Sequence, residues 1–229
     1  MIYFNFPKEC KIDKNIPKEA IYKNINADEK MKNLFVDSIE RVRLKYSLNY
    51  QNTNINSYIN GNEKYEEINF ITIELRHLGN EDRIMKIFHS FIPKATVLIL
   101  QYGEKTLLST AIKSIDKGIK VEKIYNTPWY IMEDQSEFLQ SLDMKGYNSI
   151  NLKEFYRSIS DRIKAFKVFG EHLQGKTLES EKLDELIRLK EELEEIKIKM
   201  KKENQLNRRV ELSLELKKKN LQLKNLEID

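Results

Sequence analysis

The residues whose types and spacing come closest to hydrolytic chemistry are Glu40, Glu67, Glu74 and Arg76. Metal-dependent phosphodiester cleavage needs two or more carboxylates converging on Mg²⁺ and usually a lysine two residues beyond the last, to position water or stabilise charge. Glu67 precedes the run Ile68-Asn-Phe-Ile-Thr-Ile-Glu-Leu75, Glu74 is its last residue but one, and Arg76 stands where that lysine would be. An arginine cannot act as a general base at neutral pH, although it can hold a phosphate, and no Pro-Asp pair precedes it. A degenerate restriction-endonuclease core is therefore the alternative expectation. The commoner reading makes Glu74 a solvated strand end or an ion-pair partner of Arg76 or Lys113.

Other reactive groups are sparse. His77, His89 and His172 have no helical metal-site spacing. His77 could share a cleft with Glu74, but a polar strand cap is the more frequent outcome. The lone cysteine, Cys10, excludes an intramolecular disulfide and a multi-thiolate zinc site within one chain, fits a reducing, cytoplasmic setting, and reads as a small packed thiol. Seven glycines form no phosphate loop, so no nucleotide cofactor or metal is expected. Trp129, with Tyr125 and Tyr130, could stack a base; beside Pro128 it more often plugs a core edge.

Elements must position these groups. Met31, Leu34, Phe35, Ile39, Val42 and Tyr46 predict an amphipathic helix over 26–48. Ile55, Ser57 and Ile59 alternate before Asn60-Gly61-Asn62, which predicts a hairpin with 66–75. A second helix follows over 81–92, then strands at 95–100 and 106–112, an extended piece at 122–130, and a helix over 151–172. The expected fold is α/β, of the α+β kind: a mixed sheet flanked by helices in a globular domain of residues 1–172.

Residues 176–229 contain no glycine, proline or aromatic residue and predict a helical tail. Leu186, Leu189, Leu193, Ile196 and Met200 alternate steps of three and four along one seam, which needs a partner. Beyond Glu203 the seam resumes in another phase at Leu212, Leu216, Leu223 and Leu226, marking either a stutter in a coiled coil or a helical hairpin. Asn207 falls on the first register, where a buried amide would fix pairing; a break in the helix is the alternative. Lys201, Lys202, Arg208 and Arg209 make this region locally basic and could follow a phosphate backbone, with a solvated coiled-coil surface the blander reading.

The order of several short patterns resembles the bacterial domain-of-unknown-function family numbered 4391. These are Ile16-Pro-Lys18, Ser47-Leu48, Thr53-Asn-Ile55, Glu67 to Leu75, Ile92-Pro-Lys94, Val97-Leu-Ile-Leu100, Ala111-Ile-Lys113, Tyr125-Asn-Thr-Pro-Trp129, Leu152 to Tyr156, and Gln205-Leu-Asn-Arg-Arg-Val-Glu-Leu212. The resemblance implies an accessory protein encoded beside DNA methyltransferases and helicases of restriction or phage-defence loci.

Forty Lys and Arg against thirty-six Asp and Glu leave a net charge of +4, which permits a nucleic-acid partner without demanding one. No apolar run reaches membrane-spanning length, so no membrane partner is expected. The expected function is a non-catalytic interaction subunit. It would hold a second copy as a coiled-coil dimer, or a helicase- or methyltransferase-type protein, through the tail.

Overall fold

A computed structural model describes residues 4–25, 27–131, 136–171, 173, 176 and 179–228. A short edge strand, β1 (Lys11–Asn15), and helix α1 (Lys18–Asn24) lead to α2 (Glu29–Ser38), where the Asp28 carboxylate accepts from the Met31 amide at 2.8 Å and caps the first turn. The helix expected to run to Leu48 stops at Ser38, and β2 (Ile39–Asn49) begins at once. Val42, Leu44, Tyr46 and Leu48 satisfy a period of two as well as helical spacing. Pairing with β5 (Glu67–Leu75), Val42 against Ile73 and Leu48 against Ile68, selects the strand. A register shift between Leu44 and Tyr46 moves the alternation across the sheet, so Val42 packs on one face and Leu48 on the other.

After a four-residue helix, α3 (Tyr50–Thr53), the turn at Gly61 does form a hairpin. Its strands are β3 (Tyr58–Asn60) and β4 (Glu63–Tyr65), a separate two-stranded sheet; the expected pairing of 53–59 with 66–75 is replaced by that of β5 with β2. Gly61 sits at φ +56°, where a side chain would be strained. β5 continues through α4 (Glu81–Phe91) into β6 (Ala95–Tyr102), which lies parallel to it. β7 (Lys105–Ile115), β8 (Ile119–Asn126) and the short β9 (Tyr130–Ile131) complete the main sheet. Its order is β1-β2-β5-β6-β7-β8, with β9 also on β7. This is the mixed sheet the residue pattern implied.

Each face carries its own core. α2 and α4 cover one, burying Phe35, Ile84 and Phe88 against Ile71, Ile73, Leu98 and Leu100. α5 (Glu137–Ser141) and α6 (Leu152–Phe169) cover the other, where Phe155, Ile159 and Ile163 meet Ile68, Phe70, Val97 and Leu108. The tail is a helical hairpin of α7 (Ser180–Lys202) and α8 (Leu206–Ile228). Leu183, Leu186 and Ile187 of α7 belong to the same buried cluster as α6, and Leu223 and Leu226 of α8 pack against it. The core therefore does not stop at residue 172; the first turns of the tail are part of it.

Candidate functional site

The carboxylates of the hydrolytic reading are split between the two ends of β5. Glu67 opens β5 and Glu74 nearly closes it, about 23 Å apart at roughly 3.3 Å per residue. Glu67 accepts from Ser47 Oγ at 2.9 Å and pairs with Lys94. Glu74 lies 3.9 Å from Arg41, the strand neighbour that replaces the expected Arg76 or Lys113. Arg76 instead donates from Nε to the Ile39 carbonyl at 3.2 Å, and Lys113 Nζ donates to the carbonyls of Ile92 and Lys94. Glu40 is exposed at the Glu74 end of β2. The exposed His77 bonds locally to the Leu78 carbonyl, whereas His89 is buried against Ser109 Oγ at 3.1 Å; His172 lies outside the described residues. Burial, with Glu9 beside it, pushes the Cys10 thiol up to about 11, far from a reactive thiolate. Trp129 is half-buried against the α2–α4 core.

The tail is where side chains converge. Asp184, one turn into α7, accepts from Tyr125 Oη at 2.5 Å and Lys123 Nζ at 3.0 Å on β8, and from Lys164 Nζ at 2.9 Å on α6. Lys164 is buried, donates also to Ser180 Oγ at 2.6 Å, and lies 3.2 Å from Asp161. Burial would raise the Asp184 carboxyl, but these three donors outweigh it and hold the carboxyl below its ordinary value. Burial first and then Asp184 push the Tyr125 hydroxyl up, keeping it a donor. A cleft of about 270 Å³ beside this root is lined by Tyr65, Lys153, Arg157 and Ser160 among others. Asp184 is thus matched by donors from two other elements, which locks α7 to sheet and helix at once. Residue spacing held no signal for this: Lys164 looks like a solvated position on α6, and its partners lie far along the chain.

Beyond the root, the expected seam is closed within the chain. Leu186, Leu189, Leu193 and Ile196 are buried and Met200 is half-buried, the first two turns facing α6 and the rest α8. Charges set the register of the two helices. Lys219 pairs with Glu192, and Lys190 lies 3.6 Å from Glu227 while donating to the Val168 carbonyl. Asn207 is exposed in the first turn of α8, so it is not a buried register device; the break at 203–205 lies just before it. That link brings Lys201 and Lys202, at the end of α7, beside Arg208 and Arg209, at the start of α8, to form a basic tip. Arg208 lies 3.9 Å from Glu203.

One feature of α8 escapes a single-seam reading. Its inward leucines, Leu212, Leu216, Leu223 and Leu226, face α7 and the core, while Leu206, Val210, Leu214 and Leu221 are exposed on its other side. A second apolar set interleaved with the first is the pattern that would have revealed it.

Residues 4–223 match a family model, that of the Domain of unknown function (DUF4391). No curated protein and no solved structure matches the chain.

Proposed function

The chain belongs to the DUF4391 family, a domain of unknown function, and we propose that it is an interaction subunit that works by docking through its hairpin arm. The observation that carries this reading is the anchoring of α7 by Asp184 and Lys164 below a pair of helices whose outer side keeps an unused apolar face. An arm fixed at its root presents that face in a defined direction, which limits the entropy lost on binding. The separation of Glu67 from Glu74 weighs against the hydrolytic alternative.

A restriction or phage-defence assembly, with a helicase- or methyltransferase-type partner, is the setting the family resemblance implies and forms part of this proposal. A second reading, contact with a nucleic-acid backbone, is supported by Lys201, Lys202, Arg208 and Arg209 at the tip. Affinity capture of the tagged chain from its host, with and without nuclease, separates the two. A stoichiometric protein that survives nuclease supports docking. Nucleic acid alone, lost on nuclease treatment, overturns it in favour of the tip. No helix among the described residues is long and apolar enough to cross a membrane.

A further inference from the structure

We infer that the outward face of α8 is the docking surface of the arm, and that its occupant is an amphipathic helix of another protein with acidic side chains beside its apolar stripe. This rests on the docking reading above. Leu206, Val210, Leu214 and Leu221 are 74%, 52%, 62% and 61% exposed. At 3.6 residues per turn they fall within about 80° of arc and extend about 22 Å along the helix, the length of a four-turn contact. A helix with leucines on two opposite sides has one side in use and one unpartnered.

Charge identifies the occupant. Lys217 and Lys224 lie inside the same arc, with Lys218 about 40° and Arg209 about 60° outside it. Among the described residues none of these four side chains has an ion pair or hydrogen bond, whereas Lys219, on the inward side, is tied to Glu192. Glu227, near the border, is already held by Lys190, which leaves Glu211 as the acidic group beside the face.

A second copy fits poorly. Parallel self-pairing stacks Lys217 and Lys224 on their own counterparts. The antiparallel register that sets Leu206 against Leu221 also sets Val210 against Lys217 and Arg209 against Lys218. An anionic lipid surface fits less well than a helix, because α7 of the same arm adds no net positive charge: Glu185, Glu194 and Glu195 take up Arg188, Lys197 and Lys199. A partner helix with leucines along one stripe and glutamates beside it meets both the apolar residues and the four cations.

The test uses the full chain, a fluorescent monomeric amphipathic helical peptide with leucines along one stripe and flanking glutamates, and the same peptide with flanking lysines. The glutamate peptide is expected to bind, at least tenfold tighter than the lysine peptide, with affinity falling as salt rises. The double variant Leu214→Asp/Leu221→Asp should lose at least tenfold in affinity while its thermal unfolding stays unchanged, both positions being solvent-facing. Absent or charge-independent peptide binding overturns the inference. So does a wild-type dimer whose molar mass halves in the variant, or retention of the wild type but not the variant on phosphatidylserine vesicles. If a stoichiometric partner captured from the host stays bound to the variant, the docking surface is wrong and the docking reading stands. If no protein partner is captured, the reading itself fails.

Discussion

Replacing Asp184 tests whether the arm is locked to the domain or merely rests on it. Asp184→Ala removes one acceptor serving three donors: Tyr125 Oη at 2.5 Å, Lys164 Nζ at 2.9 Å and Lys123 Nζ at 3.0 Å. The Lys123 bond contributes least, since that side chain is largely exposed. The Tyr125 and Lys164 bonds are charge-assisted and mostly shielded from water, worth about 1.5–3 kcal/mol each. Lys164 keeps Asp161 and Ser180 after the change, so its buried charge is not stranded. Together these predict a loss of about 2–4 kcal/mol in urea unfolding.

The loss should be local before it is global. Hydrogen exchange of the α7 and α8 amides should accelerate, while β5 and β6 keep their protection. A cycle of Asp184→Ala, Lys164→Met and the double variant should return a coupling of roughly 1–3 kcal/mol. The pH dependence follows from the depressed Asp184 carboxyl. Its stabilising contribution is present above the ordinary carboxylate value of 3.8 and is lost as pH falls through the lower folded value, so wild type and variant should converge in strong acid. A loss under 1 kcal/mol, or faster exchange spread evenly over the sheet, would refute the idea that this network anchors the arm.

Three further outcomes are expected. Ending the chain at residue 175 strips Leu183, Leu186 and Ile187 from the core, roughly 5–9 kcal/mol of buried apolar side chains, and circular dichroism should report an unfolded product rather than a freed α/β domain. Leu189→Asp and Leu193→Asp, both buried between helices, should each cost about 3–5 kcal/mol in urea unfolding; a change in molar mass without loss of stability would contradict the intrachain seam. Burial pushes the Lys113 ammonium down to about 7, so the unfolded chain binds the extra proton between pH 7 and 10.5 and the wild type gains stability as pH rises through that window. Lys113→Met should flatten the slope, by at most about 3.5 kcal/mol, when unfolding free energies in urea are compared at pH 6.5 and 9.5.

What the residue pattern could reveal was set by how local each determinant is. β5 reads as a central strand because Ile68, Phe70, Ile71 and Ile73 are apolar on both faces, and α4 and α6 carry a single uninterrupted stripe. β2 resembles a helix in its spacing because Val42, Tyr46 and their neighbours fit both periods, and only the β5 partner decides between them. The seam residues and the phase change near Glu203 are legible and allow a hairpin; what selects it over a stutter is charges such as Lys219 and Glu192 meeting 27 positions apart. The anchoring network was invisible: Lys123 and Asp184 are 61 residues apart, and neither stands in a motif. Glu67 and Glu74 are kept apart for a simpler reason. Seven residues of extended chain separate Glu67 from Glu74, and a strand cannot bring its own ends together.

The three-residue link between α7 and α8 has a consequence for how copies of the chain can associate. Residues 203–205 are Glu, Asn and Gln, with no glycine or proline to enforce the reversal. If they straighten, α8 leaves its own α7 and can settle on that of another molecule, remaking the same leucine contacts and the same pairing of Lys219 with Glu192. Such an exchange would cost few contacts and would be governed by concentration. A dimer formed this way would leave the outer leucines of α8 as exposed as they are in the monomer, and could offer a partner two such faces at once.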